Sequence, residues 1–294
     1  MTPDDARLDA AELEREYSPS SRVGGTSAPF IDDYVARSEA AGRALGDRVE
    51  VLASGTRIMA GRTDEPVLVF IHGGYWQALS AEHSMYLAPG AHARGWSYAA
   101  IEYTIAPSGT VEQMVDECRR AVQGAVAALR ERGCNGPVVL AGHSAGAHLA
   151  AMVTLADRPP ADRLAGIRRI VLLSGVFDLQ PIIHTTVNDP LHLDLERALA
   201  LSPVLHPAPP AASSDNGSSD PVPPDTGTLA DVIVAWGDND TRAFARQSRV
   251  YADILRQAGH HVTAMEAASR HHFDIVDDLV SPTTPLGRLV ADDL

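Results

Sequence analysis

The chain has only two cysteines, Cys118 and Cys134, among 294 residues. Two cysteines make no disulfide framework, and nothing beside them spells a zinc site, so both are read as reduced thiols. Positive charge is also short: 24 Lys and Arg stand against 38 Asp and Glu, a formal net charge of −14. That balance excludes nucleic acid and anionic membrane as partners, because phosphate would be repelled. No stretch approaches the roughly 18 apolar residues that a membrane span needs. Residues 1–20 are acidic and polar without an apolar core, so no secretory signal is expected. A soluble, cytoplasmic protein is expected. Its partners would be a small-molecule substrate and, at most, a second copy in a homodimer. Neither an H-E-x-x-H pattern nor paired carboxylates argue for a metal, and no cofactor is called for.

Hydrophobic content of 45% and charged content of 21% are ordinary for a globular protein. The organising stretch is Val138-Val139-Leu140-Ala141-Gly142-His143-Ser144-Ala145-Gly146. A short apolar run ends in Gly-His-Ser-Ala-Gly and continues as an alanine-rich helix former, which is the strand, sharp turn and helix of a nucleophile elbow. The pentapeptide alone would occur by chance in roughly one chain of this length in ten. Its flanks make Ser144 a candidate nucleophile. Gly142 and Gly146 supply the lack of bulk that a strained turn requires.

Around this stretch the chain alternates. Residues 1–46 read as an N-terminal helical arm, with helices at 10–17 and 29–45. Segments 48–53 and 57–60 read as a hairpin at a sheet edge. Val67–Ile71 is a continuous apolar run, as expected for a strand buried on both faces. Helix at 80–94, strand at 97–103 and a long amphipathic helix at 111–132 follow. After the elbow come a strand at 169–176, a mixed segment at 178–203, and strands at 231–236 and 261–266 with a helix at 242–257 between them. Residues 208–227 are dominated by Pro, Ser, Asp and Gly, and are expected to form a flexible surface loop. The pattern gives one α/β domain over 1–294, with a mostly parallel sheet and helices on both faces.

A serine hydroxyl needs a base, and the base needs an orienting group. In an elbow fold these follow in the order serine, acid, histidine, on loops after late strands. The 231–236 strand is followed by Gly237-Asp238-Asn239-Asp240, and the last strand by Arg270-His271-His272-Phe273-Asp274. Asp240 lies further past its strand and is preferred to Asp238, which reads as a turn residue. His272 precedes an apolar helix over 273–280 and is preferred to His271, read as its solvated neighbour. The oxyanion donors should be backbone amides, those of Gly73 and Gly74 in Ile71-His72-Gly73-Gly74-Tyr75-Trp76 and of Ala145 after the nucleophile. His143 and His148 read as packing groups. His83, His92, His184, His192 and His206 read as solvated or locally bonded.

His72-Gly73-Gly74-Tyr75-Trp76 resembles the hallmark of serine-hydrolase-type kynurenine formamidases (arylformamidases), a branch of the α/β-hydrolases. Glu102 to Pro107, Ser174 to Ile182 with Asn188, Leu191, Leu193 and Ser202-Pro203, Gly237 to Asp240 with Phe244 and Gln247-Ser248, and His272 to Ile275 resemble further segments of that family. The resemblance covers roughly residues 14–280 without the 208–227 loop, which departs from the compact family pattern. It implies an α/β-hydrolase fold and the Ser144, Asp240, His272 triad. The implied reaction is cofactor-free hydrolysis of N-formyl-L-kynurenine to kynurenine and formate through a formyl-enzyme. An aryl substrate asks for an apolar wall, for which Tyr75, Trp76 and Phe177 are the candidates, and Asn188 is the candidate for its amino-acid end.

Three other readings remain at this point. The same triad would serve a carboxylesterase or amidase with another small acyl substrate, since fold does not fix substrate. A non-catalytic binding protein on this fold would typically have lost a triad member. A metal-dependent formamidase is opposed by the elbow.

Overall fold

The computed structural model describes residues 5–156, 164, 166–208 and 230–294. Apart from Ala208, the proposed loop at 208–227 lies outside the described residues.

Eight strands form one sheet: β1 (Val49–Val51), β2 (Arg57–Met59), β3 (Val67–Ile71), β4 (Ser97–Ile101), β5 (Val138–His143), β6 (Ile167–Leu173), β7 (Asp231–Gly237) and β8 (Val262–Ala267). Their order is β1-β2-β4-β3-β5-β6-β7-β8. The β1–β2 hairpin is antiparallel and pairs antiparallel onto β4, while every later pairing is parallel. Every residue of β3, β4 and β5 is buried. Apolar side chains therefore feed both faces. Along β3, Val67, Val69 and Ile71 enter one core layer and Leu68 and Phe70 the other, the two-residue period of a strand.

The first layer packs α1 (Ala10–Glu16), α4 (Val111–Glu131), α5 (Ala145–Thr154) and α7 (Arg242–Gln257) onto the sheet. The second packs α2 (Ala28–Leu45), α3 (Ala88–Ala93) and α8 (Pro285–Ala291) onto the other face. The short α6 (Leu195–Ala200) lies among 3-10 turns in the mixed segment. Helix starts follow local chemistry. Thr110 and Gln113 form a reciprocal capping box on α4, and Asp9 and Glu12 form one on α1.

Two readings need adjustment. The helix expected at 80–94 is a 3-10 helix, Glu82–Leu87, running directly into α3. The helix expected at 273–280 begins only at Ile275 and is also 3-10. His272 therefore precedes it, in a turn where Asp274 accepts the amide of His271 at 2.7 Å. The segment expected to be an arm is not free of the body, for Leu13, Tyr17, Tyr34, Ala41 and Leu45 are all buried in the two core layers.

Register places the site. Ile71 pairs with Gly142, His143 with Leu173, Leu173 with Ala235, and Gly237 with Ala267. The carboxyl ends of β3, β5, β6, β7 and β8 thus come level, at the edge where open α/β sheets place their ligands. Among the described residues no helix is long and apolar enough to cross a membrane.

Candidate active site

Ser144 follows β5 directly and caps α5, with φ 55° and ψ −120°. A non-glycine residue held in that region is strained, and the surroundings hold it there. Its amide donates to Leu173 O at 2.8 Å and its carbonyl accepts from Ala147 at 3.0 Å. The flanking glycines are required by close approach. A Cβ on Gly146 would lie 2.0 Å from Ile71 O, and one on Gly142 would lie 2.2 Å from Gly146 O.

Asp240 and His272 are both buried, and His272 Nδ1–H donates to Asp240 Oδ1 at 3.2 Å. Burial pushes the Asp240 carboxyl up. The neighbouring His272, with Ser174 and His143 behind it, outweighs burial and leaves the group below its ordinary range. Asp238 is a turn residue that also bridges two loops. Its carboxylate accepts the amides of Ser269 at 2.9 Å and Arg270 at 3.2 Å, tying the acid loop to the histidine loop. His271 is half-buried against Phe30 rather than solvated.

His143 does more than pack. Its Nε2–H donates to the carbonyl of His272 at 2.7 Å, so it holds the backbone on which the imidazole sits. Burial, then the adjacent His272, pushes its pKa down to about 3, leaving it neutral. A Cβ on Gly73 would lie 3.3 Å from His143 Nδ1 and 3.0 Å from Ser144 Cβ, which puts that glycine directly against the elbow.

The loop after β3 is braced by His72 and Tyr103. His72 Nδ1–H donates to Gly73 O at 2.9 Å, its ring stacks on Tyr103 at 4.2 Å, and Tyr103 Oη–H donates to His72 O at 2.9 Å. Gly74 has φ 93°, and its carbonyl accepts from Gln77 and Ala78, both at 3.0 Å. Tyr75 and Trp76 follow at φ 51° and 61°, two consecutive non-glycine residues in the left-handed region. Ala145 is the first residue of α5, so its amide has no acceptor within the helix.

Ser144, His272, His143, Gly74 and Tyr75 line one cavity of about 360 Å³. Its other walls were not foreseen: Glu14, Ser18, Ser20, Ser27, Ile31 and Tyr34 from the N-terminal segment, with Gln77, Leu79, Thr186, Val187 and Phe273. The N-terminal segment is fastened to both triad loops. Tyr34 Oη–H donates to the Phe273 carbonyl, Phe30 stacks on Phe273 at 4.6 Å, and Thr241 Oγ1–H donates to Glu16 O at 2.6 Å. Tyr75 Oη–H donates to the carbonyl of Tyr17.

Three candidates for substrate contact lie elsewhere. Trp76 is fully buried with its ring edge-on to His148, outside the cavity. Phe177 is fully buried and stacked on Tyr251 at 4.3 Å. Both rings face the core because that is where a large apolar surface is most stabilised. Asn188 is spent on its own turn, its amide group donating to Leu193 O at 2.9 Å and accepting from Leu193 N at 2.8 Å. Tyr75 alone of the four lines the cavity. A second cavity, of about 820 Å³, lies against Glu102–Ile105 and α4 and shares Leu79 with the first.

Residues 68–274 match the alpha/beta hydrolase fold family. A kynurenine formamidase of Danio rerio is 33% identical over 95% of this chain and 94% of its own length. The Salmo salar kynurenine formamidase is 32% identical, again over 95% of this chain and 94% of its own. Among solved structures, a protein from Silicibacter sp. TM1040 assigned as a thioesterase superposes with a TM-score of 0.74 at 27% identity, over 95% of this chain and 98% of that one. An esterase of the archaeon Pyrobaculum calidifontis, at 18% identity and TM-score 0.61 over 90% of each chain, shares the fold.

Proposed function

Because this chain belongs to the kynurenine formamidase family of α/β-hydrolases, we propose that it hydrolyses N-formyl-L-kynurenine to kynurenine and formate, through Ser144, His272 and Asp240. One arrangement carries the reading: a strained serine, the imidazole of a buried histidine–carboxylate pair and the glycine loop after β3 meet at one cavity.

Ser144 Oγ attacks the formyl carbon while His272 Nε2 takes its proton, and Asp240 keeps the imidazole in the tautomer with Nδ1–H. The amides of Gly73, Gly74 and Ala145 receive the oxyanion. One such donor typically supplies roughly 3–4 kcal/mol of transition-state stabilisation. Collapse breaks the carbon–nitrogen bond. The aryl amine departs with the proton from His272, leaving a formyl ester on Ser144. Water, deprotonated by His272, attacks the ester; the bond from carbon to Ser144 Oγ breaks as His272 returns the proton to Oγ, and formate leaves. Every proton and bond is supplied by the chain, the substrate and water, so no cofactor enters. Tyr75, with Ile31, Leu79 and Phe273, supplies the apolar wall for the ring. The buried free thiols Cys118 and Cys134 support a reducing, cytoplasmic setting.

The test is the rate of N-formylkynurenine loss for wild type and for Ser144→Ala, Asp240→Asn and His272→Ala, beside short-chain p-nitrophenyl esters. Rapid formamide turnover by wild type, with losses on the order of 10⁴-fold in each variant, is expected. Brisk ester hydrolysis without formamide turnover would move the substrate to an acyl ester and keep the triad.

A further inference from the structure

The cavity's charge is one-sided. Among the described residues that line it, Glu14 is the single carboxylate, and no lysine or arginine faces it. His143, which lines the same cavity, is neutral, being pushed down to about 3 by burial and then by His272. A negative group in a cavity that no lysine or arginine faces favours a ligand that brings a positive one.

Glu14 is placed and held for this. It sits in the middle of α1, and both of its oxygens accept from Thr186, one from the amide and one from the hydroxyl. Thr186 itself lines the cavity, so the carboxylate is fixed at the junction of two walls. Each carboxylate oxygen has a second lone pair, and these are left for another donor. Tyr75, whose ring borders the serine, lines the same cavity as Glu14.

We propose that Glu14 binds the α-ammonium group on the amino-acid arm of the substrate, making the enzyme selective for aryl formamides that carry a primary ammonium. The inference rests on the formamidase reading and adds the group that recognises the end of the substrate remote from the formyl carbon. The aryl ring lies along Tyr75 with its formamide at Ser144, and the arm extends toward α1.

The experiment compares kcat/KM for N-formyl-L-kynurenine with that for its des-amino analogue, which keeps the ring, the formamide and the carboxylate and lacks only the ammonium. Wild type is expected to favour the ammonium-bearing substrate by about tenfold, the worth of a hydrogen bond to a charged group. Glu14→Gln keeps an acceptor for Thr186 and removes the charge. It should erase the preference through a raised KM for N-formylkynurenine alone. Thr186→Val loosens the tether and keeps the charge, so it should lower the ratio only in part. Thermal unfolding of both variants near wild type checks that they are folded. Equal losses on both substrates in Glu14→Gln, or a larger fall of the ratio in Thr186→Val than in Glu14→Gln, would overturn the assignment while leaving the formamidase reading in place. Absence of turnover of either substrate by wild type would overturn both.

Discussion

The floor and the roof of the cavity are built by different means. The floor is backbone: Gly74 and Ser144 line it just past the ends of β3 and β5, strands whose register the sheet fixes. The roof, from Glu14 to Tyr34, is fastened by side chains, including Tyr34 on Phe273, Thr241 on Glu16 and Arg37 on Asp277 at 2.6 Å. Chemistry that tolerates little displacement is thus given to the rigid part. Recognition of the variable end of the substrate is given to the part that side-chain changes can remodel.

Acid should expose that difference most strongly. His72, His143 and His148 lie in or under the floor, and burial, the largest cause in each, lowers them to about 4, 3 and 4. The ordinary histidine value is near 6.5, so below it the unfolded chain takes up protons that the folded chain refuses. Stability is therefore complete above about pH 6.5 and falls as pH drops toward 4, by about 1.4 kcal/mol per pH unit for each group. Urea unfolding between pH 7 and 5 measures the slope, and His148→Gln should remove about one group's share.

Next in size is the elbow. Gly146→Ala sets a Cβ 2.0 Å from Ile71 O and 2.5 Å from His72 O, both backbone atoms of the floor. A loss of about 3 kcal/mol is expected in denaturant unfolding, together with loss of activity. The same substitution at Gly124 on α4, where a Cβ would meet nothing within 4 Å, should be stabilising or neutral.

His143 separates positioning from packing. His143→Leu removes the donor to the His272 carbonyl, and kcat should fall about tenfold with KM unchanged. His143→Gln restores an N–H and should recover most of the loss. Equal activities in the two variants would reduce His143 to a packing group.

The smallest effect belongs to the roof. Tyr34→Phe deletes one buried hydrogen bond to Phe273 O and should cost about 1 kcal/mol in thermal or urea unfolding, with kcat near wild type. A large fall in kcat there would show that the roof also holds the chemistry, and would break the contrast.

The same division explains what could be read from the chain. The elbow, the glycine loop and the two late loops are short patterns set at strand ends, so Ser144, Asp240 and His272 were legible beside their strands. Fold class followed from apolar runs such as β3 and the 3.6-residue period of α4. The roof left no local signal. Glu14, Ser18 and Ser20 are polar residues in a polar stretch, and only contacts made across the whole chain bring them over the serine. Trp76 and Phe177 mark the opposite limit. Their type was legible and their direction was not, because whether an aromatic ring faces a cavity or the core depends on neighbours such as His148 and Tyr251.

The tethers of the roof also bear on the order in which the molecule assembles. Tyr34 meets Phe273 across 239 residues of chain, Arg37 meets Asp277 across 240, and Thr241 meets Glu16 across 225. Closing loops of that length costs entropy before any contact repays it, whereas the sheet joins segments that lie much nearer in sequence. The tethers of the roof are therefore costlier to close in chain entropy than the pairings within the sheet. Contacts of such range are expected to form late, so Tyr34→Phe should speed unfolding and leave the folding rate near wild type.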